Sequence, residues 1–212
     1  MPIFYQAVQQ TTAAQSGVRV LAYGLPITIA TMVSGITITK TGYYVPFMWF
    51  GGAVFTTAAC LLYTLEVNSS AKHWAVYSVL GAIGFGSSVQ IPLLAINNVL
   101  PSQDIPTGSS LIVFFQSLGG ALGLSIAQNL FATRLERELE AIEGVDVTTV
   151  ISQGASDIKA VVPEQFLMSV LEAYHSAVQS AFILSIVAAG IAFVASFGME
   201  WKKMRGRNEK TK

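Results

Sequence analysis

Five stretches of this sequence, residues 20–39, 41–65, 73–103, 105–133 and 173–199, contain no Asp, Glu, Lys or Arg. A helix rises about 1.5 Å per residue, so roughly 20 apolar residues cross the ~30 Å hydrocarbon core of a bilayer. Each stretch is long enough to do so. A helix of a water-soluble domain needs a polar face, and these stretches have none. Charged residues make up 11% of the chain, against about 25% in a soluble domain. The expected fold is therefore all-α: a polytopic transmembrane helix bundle with five full spans plus a partial N-terminal helix. The spans are placed at about 18–39, 44–65, 73–97, 109–131 and 175–199. Residues 1–8 are apolar but reach only about 12 Å as a helix. They read as the last two turns of a helix whose beginning is absent, and residues 9–16 as a polar connection.

Charge sets the expected orientation. Lys202, Lys203, Arg205, Arg207, Lys210 and Lys212 supply six of the twelve basic residues. Basic residues flanking spans stay on the cytosolic side. This gives a transmembrane bundle over 1–131, an extracellular amphipathic, acidic loop over 132–174, a last transmembrane helix over 175–199 and a basic cytosolic tail over 200–212. The 132–174 segment holds three basic and eight acidic residues, as suits a non-cytosolic face. Asn68-Ser69-Ser70 is an N-glycosylation sequon on the expected outside loop, making Asn68 the glycosylation candidate. A net charge of zero leaves no electrostatic case for a nucleic-acid partner. Cys60 is the single cysteine, so it forms no internal disulfide, and it reads as a buried structural thiol. His73 and His175 fall at outside span ends and read as interfacial anchors.

Within 132–174, Leu135, Leu139 and Ile142 recur at helical spacing and continue the fourth span beyond the lipid. A second helix begins near Pro163, a favourable first helical residue, with an apolar stripe of Phe166, Leu167, Val170, Leu171 and Tyr174. Residues 144–154 read as a loop. The favoured arrangement is a solvated linker with two helices resting on the membrane surface; the alternative is an external cap over a pathway.

No nucleophile–base pair or metal-ligand cluster is expected from the pattern, so no catalytic residue, cofactor or metal is assigned and the chain is not read as an enzyme. The spans also contain no Asp or Glu, whereas proton-driven transport ordinarily uses an intramembrane carboxylate. Their polar groups are neutral. Gly86, Gln90 and Asn97 share a face of the third span, and Pro92 should kink it. In the fourth span Gln116, Gly119, Gly120 and Gly123 form one stripe, with Gln128 on the adjacent face. Gly119 and Gly123 make a GxxxG pair, which lets helices approach closely. Gln90, Gln116, Asn97 and Gln128 are the candidate substrate-path residues, and Gly86, Gly119, Gly120 and Gly123 the candidate helix-packing residues. Amides in lipid must find partners, so these faces should turn inward, either to bond neighbouring helices or to meet a substrate.

The stretches IFYQAVQQTTAAQSGVR, TGYYVPFMWFGG, YSVLGAIGFGSSVQIPLLA, VLPSQDIPTGSSLIVFFQSLGGALGLSIAQNLF and SFGMEWKK, in that order, resemble the C-terminal half of fungal drug:proton antiporters. These belong to the fourteen-helix branch of the major facilitator superfamily. The resemblance covers nearly the whole chain. It implies efflux of a small apolar compound, such as a secondary metabolite, toxin or drug, by proton antiport in the full-length form. The present chain would then be a truncated part of it. It also implies that the first, third and fourth spans line a central cavity while the second and fifth lie outside it. Lys40-Thr41-Gly42 falls at the family's cytosolic loop between two helices of the C-terminal bundle. The implied partners are the lipid bilayer, a small-molecule substrate, and either a missing N-terminal bundle or a second copy of the chain. The implied location is the cell membrane, multi-pass, with a cytosolic C-terminus. The alternatives are a non-transporting membrane anchor or regulatory partner, and a half-transporter that must oligomerise.

Overall fold

The computed structural model describes residues 13–65, 71–142, 145, 147–153, 162–199 and 201. Among them every regular element is a helix. In chain order these are α1 (Ala13–Thr41), α2 (Val45–Tyr63), α3 (Ala71–Ser88), α4 (Ile91–Val99), α5 (Ile105–Glu140), α6 (Val147–Gln153) and α7 (Glu164–Ser196). The expected partial helix over residues 1–8 and the basic tail over 202–212 lie outside the described residues.

Four described segments are long and apolar enough to cross a membrane: Val45–Tyr63, His73–Val99, Ile105–Glu140 and Gln165–Ser196. Five were expected. The remaining helix, α1, is 29 residues long; its 20–39 stretch is free of Asp, Glu, Lys and Arg but carries threonines. It satisfies them internally. Thr28, Thr37, Thr39 and Thr41 each donate to the carbonyl four residues back, at 3.1, 2.8, 2.7 and 2.8 Å. A hydroxyl bonded in this way can sit in an apolar medium. α1 ends at Gly42, whose φ of 79° puts it in the left-handed region that favours glycine. Its N–H donates to Ile38 O at 2.8 Å, and the chain turns directly into α2.

α3 and α4 form one rod interrupted at Val89 and Gln90. Pro92 lies in the first turn of α4. A proline there has no N–H to give to the turn before it, which separates the two helices. α5 runs unbroken for 36 residues, about 54 Å, so the expected fourth span and the amphipathic stretch beyond it are one helix. α7 likewise fuses the stretch after Pro163 with the last span, over 33 residues. No proline interrupts it, and nothing breaks at the expected boundary between 174 and 175. Residues 144–154 are not wholly a loop, because α6 lies within them and buries Val150. The two helical stretches that flank it are continuous with the spans and pack on one another.

α3 lies between α1 and α2, α2 also meets α7, α7 meets α5, and α4 closes against the start of α5. Two apolar cores sit at opposite ends of this ring. At one end Leu135, Leu139, Val170, Tyr174 and Ala177 pack with Leu62, Leu65, Trp74 and Val150. At the other end Ile38, Tyr44, Val45, Ile91 and Ala95 pack together, with Trp49 and Met199 against them. Cys60 corrects the reading of a buried thiol: it is exposed. It lies two residues from both Ala58 and Leu62, the buried face of α2, and hence about 200° around the helix from them.

Candidate substrate path along α5

α5 is held at its two ends and stands clear in the middle. At its C-terminal end Leu135 and Leu139 are buried. Beside them Arg134 pairs with Glu138 at 2.8 Å. Arg134 Nε donates to Ser176 Oγ at 3.2 Å, and Ser176 Oγ donates to Glu138 Oε1 at 3.3 Å, which ties α5 to α7. Gln179 Nε2 donates to Tyr63 O at 3.0 Å and ties α7 to α2. At the opposite end Gly108 lies so close to Leu100 and Ile96 that an added Cβ would come within 2.6 and 3.1 Å of them. Between these anchors no residue of the apolar window of α5 is buried.

Two apolar spaces border this free section. The first, of about 810 Å³, lies between α4 and α5 and is lined by Pro92, Ile96, Leu111, Phe115 and Gln116, with Tyr44 and Met199 at its edge. Gln116 is its one amide. The second, of about 690 Å³, separates α5 from α2, α3 and α7, with Gly119, Gly120 and Gly123 facing Phe55, Phe85 and Phe193. Three serines reach it, and each donates to its own helix: Ser88 to Gly84 O at 3.1 Å, Ser185 to Ala181 O at 3.5 Å and Ser196 to Phe193 O at 2.6 Å. Both volumes fall within the ~300–1,000 Å³ range of small-molecule sites. Neither is lined by a charged side chain.

The candidate residues are therefore distributed as follows. Gln116 and the stripe Gly119, Gly120 and Gly123 lie on α5, but they border different spaces, and nothing lies within 4 Å of a Cβ placed at any of the three glycines. Gly86 is buried, and a Cβ there would lie 2.6 Å from Ile27 O of α1. Gln90 is exposed at the break after α3. Asn97 is exposed and its amide donates to Leu93 O at 2.7 Å within its own helix. Gln128 is exposed and lines neither space. Gly86 is thus buried while Gln90 and Asn97 are exposed, and the break at Val89 and Gln90 falls among them. Asn68 lies outside the described residues.

Two interhelical bonds carry no obvious sequence signal. Thr31 Oγ1 donates to Gly86 O at 2.9 Å, joining α1 to α3. Trp49 Nε1 donates to Ser196 O at 3.1 Å, joining α2 to α7. The threonine periodicity of α1 is the one clue to the first. Among the described residues no group of three His, Cys, Asp or Glu side chains is placed to hold a metal.

A bundle of long apolar helices around uncharged spaces defines a multi-spanning α-helical membrane protein. No family model matches the chain. Individual proteins do. It is 36% identical over 209 residues to an MFS-type transporter, ltbE, of Aspergillus luteorubrus, covering 99% of this chain and 38% of that protein. It is 32% identical to the efflux pump roqT of Penicillium rubens, over 97% of this chain and 38% of the pump. It is 35% identical to the aspyridones efflux protein of Neocamarosporium betae, over 98% of this chain and 37% of that protein. Over almost all of its length the chain is homologous to fungal transporters and efflux pumps of the major facilitator superfamily. It spans less than two-fifths of the length of these relatives.

Proposed function

We infer that this chain forms part of the C-terminal bundle of an exporter for a small apolar compound, such as a secondary metabolite, toxin or drug. It would act by transport rather than by catalysis. The observation that carries this reading is the unburied section of α5, a span-length helix whose open side borders an uncharged space with the single amide of Gln116. An apolar solute can enter such a space without losing charge–water contacts, and one amide can orient it. In this reading α1, the α3–α4 rod and α5 face the path, while α2 and α7 face lipid. The charge-free stretches of the spans offer no carboxylate, so the proton antiport proposed for the whole transporter would use groups elsewhere. The protein would lie in the cell membrane with its C-terminus in the cytosol. A glycosidase-sensitive mobility shift that disappears in Asn68→Gln would support that orientation.

Cells expressing the protein should accumulate less of a fluorescent apolar compound than cells without it, and a protonophore should remove the difference. Equal accumulation in both would overturn the proposal. The open side of α5 favours one further reading, a half-transporter completed by a second bundle. Crosslinks from α5 to another copy of the chain would select it.

A further inference from the structure

We propose that the break between α3 and α4, together with Gln116 of α5, forms a polar waist between the two apolar spaces. It takes a neutral ligand with apolar groups on both sides of a central hydroxyl or N–H. This deepens the exporter reading, and rests on it in taking the ligand to be the exported compound.

The two spaces meet the helices in matching order. Along the α3–α4 rod, Phe85 and Ser88 line the 690 Å³ space and Pro92 lines the 810 Å³ space. Along α5 the order reverses: Phe115 and Gln116 line the 810 Å³ space, and Gly119 and Gly120 the 690 Å³ space. One wall therefore passes from one space to the other between Ser88 and Pro92. The other passes between Gln116 and Gly119, about 4.5 Å of helix. Val89 and Gln90, where the rod is interrupted, sit at this boundary.

Hydrogen-bonding capacity is left over there. Pro92 has no N–H to give to the Ser88 carbonyl four residues back. Among the described residues nothing donates to Val89 O, and the Gln90 N–H finds no acceptor. The Gly86 carbonyl, which that N–H would meet in an unbroken helix, accepts from Thr31 Oγ1 at 2.9 Å. The Gln90 side chain makes no capping bond. The Gln116 amide is exposed and makes no hydrogen bond among the described residues. By contrast, Ser88, Ser185 and Ser196 of the 690 Å³ space each donate to their own helix. Val89 and Gln90 lie ten and nine residues before Val99, the end of the span, about 14 Å into it. Backbone polar groups at that depth need partners, and irregular backbone is tolerated where it lines a polar cavity.

These groups set the ligand's chemistry. A backbone carbonyl only accepts, so the ligand must bring an O–H or N–H. The Gln116 amide can then donate to the oxygen of the same hydroxyl, or to the carbonyl beside an N–H. An ether oxygen could meet Gln116 but would leave the carbonyls unpaired. No charged side chain lines either space, so an ion there would lose its water uncompensated, and the ligand is neutral. Its two apolar parts meet Phe115 on one side and Phe55, Phe85 and Phe193 on the other.

The test uses the full chain in phosphatidylcholine vesicles and two probes. One is phenyl(pyren-1-yl)methanol, whose hydroxyl lies between two aromatic groups. The other is its methyl ether, which has no hydrogen to donate. The saturable part of energy transfer from the protein's tryptophans to pyrene reads binding. The alcohol should bind at least about fivefold more tightly than the ether. Gln116→Leu should reduce that preference to about twofold or less. Pro92→Ala, which supplies an N–H for Ser88 O, should do the same while the unfolding midpoint holds or rises. Equal affinity for alcohol and ether in the unaltered protein would overturn the proposal. So would the absence of saturable binding, or a preference that survives either substitution. Export of the same probes from cells separates the two readings. Equal binding with export of both removes the waist and leaves the exporter. Preferential binding of the alcohol without export leaves the site and removes the exporter.

Discussion

α3 and α5 are both glycine-rich helices, and they meet opposite fates. In α3 a Cβ at Gly84 would fall 2.5 Å from Phe55 N and 2.9 Å from Gly51 O, and one at Gly86 would fall 2.6 Å from Ile27 O. The backbones of α1, α2 and α3 touch at these positions. In α5 the stripe of Gly119, Gly120 and Gly123 meets nothing within 4 Å. The difference teaches that small residues permit close helix approach without naming the partner. For α3 the partners are its neighbours in the chain. For the middle of α5, no described helix serves. Lipid tails are as apolar as leucine, so the exposed Phe114, Phe115 and Leu124 of α5 are tolerated in a bilayer. The amides of Gln116 and Gln128 are not so easily left there.

The sharpest way to break the comparison is Gly84→Val. The new side chain would have to displace backbone atoms of α2, which cannot move as a flexible side chain can. Overpacking of this kind should destabilise the protein by about 3 kcal/mol or more, read as a lower unfolding midpoint in detergent. Leu139→Ala comes next. Leu139 has no exposed surface and anchors the C-terminal end of α5, so its truncation should cost about 2–4 kcal/mol. Protease sensitivity should rise within 130–142, while the α1–α3 contact stays intact.

The windows without charge made the helices legible, because a bilayer span requires both length and an apolar surface. The stripes of Leu135 with Leu139 and of Val170 with Tyr174 were legible as helix faces. That they bury one another was not, since an apolar stripe looks the same whether lipid, protein or a second stripe covers it. The face assigned to Gly86, Gln90 and Asn97 divides by burial, with Gly86 buried and the two amides exposed. Counting at 3.6 residues per turn assumes one continuous helix, and α3 and α4 are separated at Val89 and Gln90. Gln116 was legible as an amide in an apolar span, but its place in a space between α4 and α5 depends on Leu100 and Ile96 closing on Gly108, a contact between two helices.

A smaller effect tests the α3 side of the comparison. Thr31→Val keeps the shape of the side chain and removes the 2.9 Å bond to Gly86 O. Interhelical hydrogen bonds in membranes are worth about 0.6–1.7 kcal/mol, so a loss near 1 kcal/mol is expected in the same unfolding assay.

The smallest effect is expected from the substitution already made in α3, transferred to α5. Gly120→Val places its side chain in space that nothing occupies, and valine is a somewhat better helix former than glycine. Stability of the chain should change by no more than about 0.5 kcal/mol in either direction. If it instead falls as far as Gly84→Val, the middle of α5 packs against another helix of this chain and the 690 Å³ space is closed. Export provides a second readout. Should export fall in Gly120→Val while the unfolding midpoint holds, the stripe touches something outside the described helices, either a second bundle or the transported compound. Crosslinking from a cysteine at position 120 separates these: a second bundle gives a protein adduct with or without the compound, whereas contact with the compound alone gives protection of the cysteine from labelling.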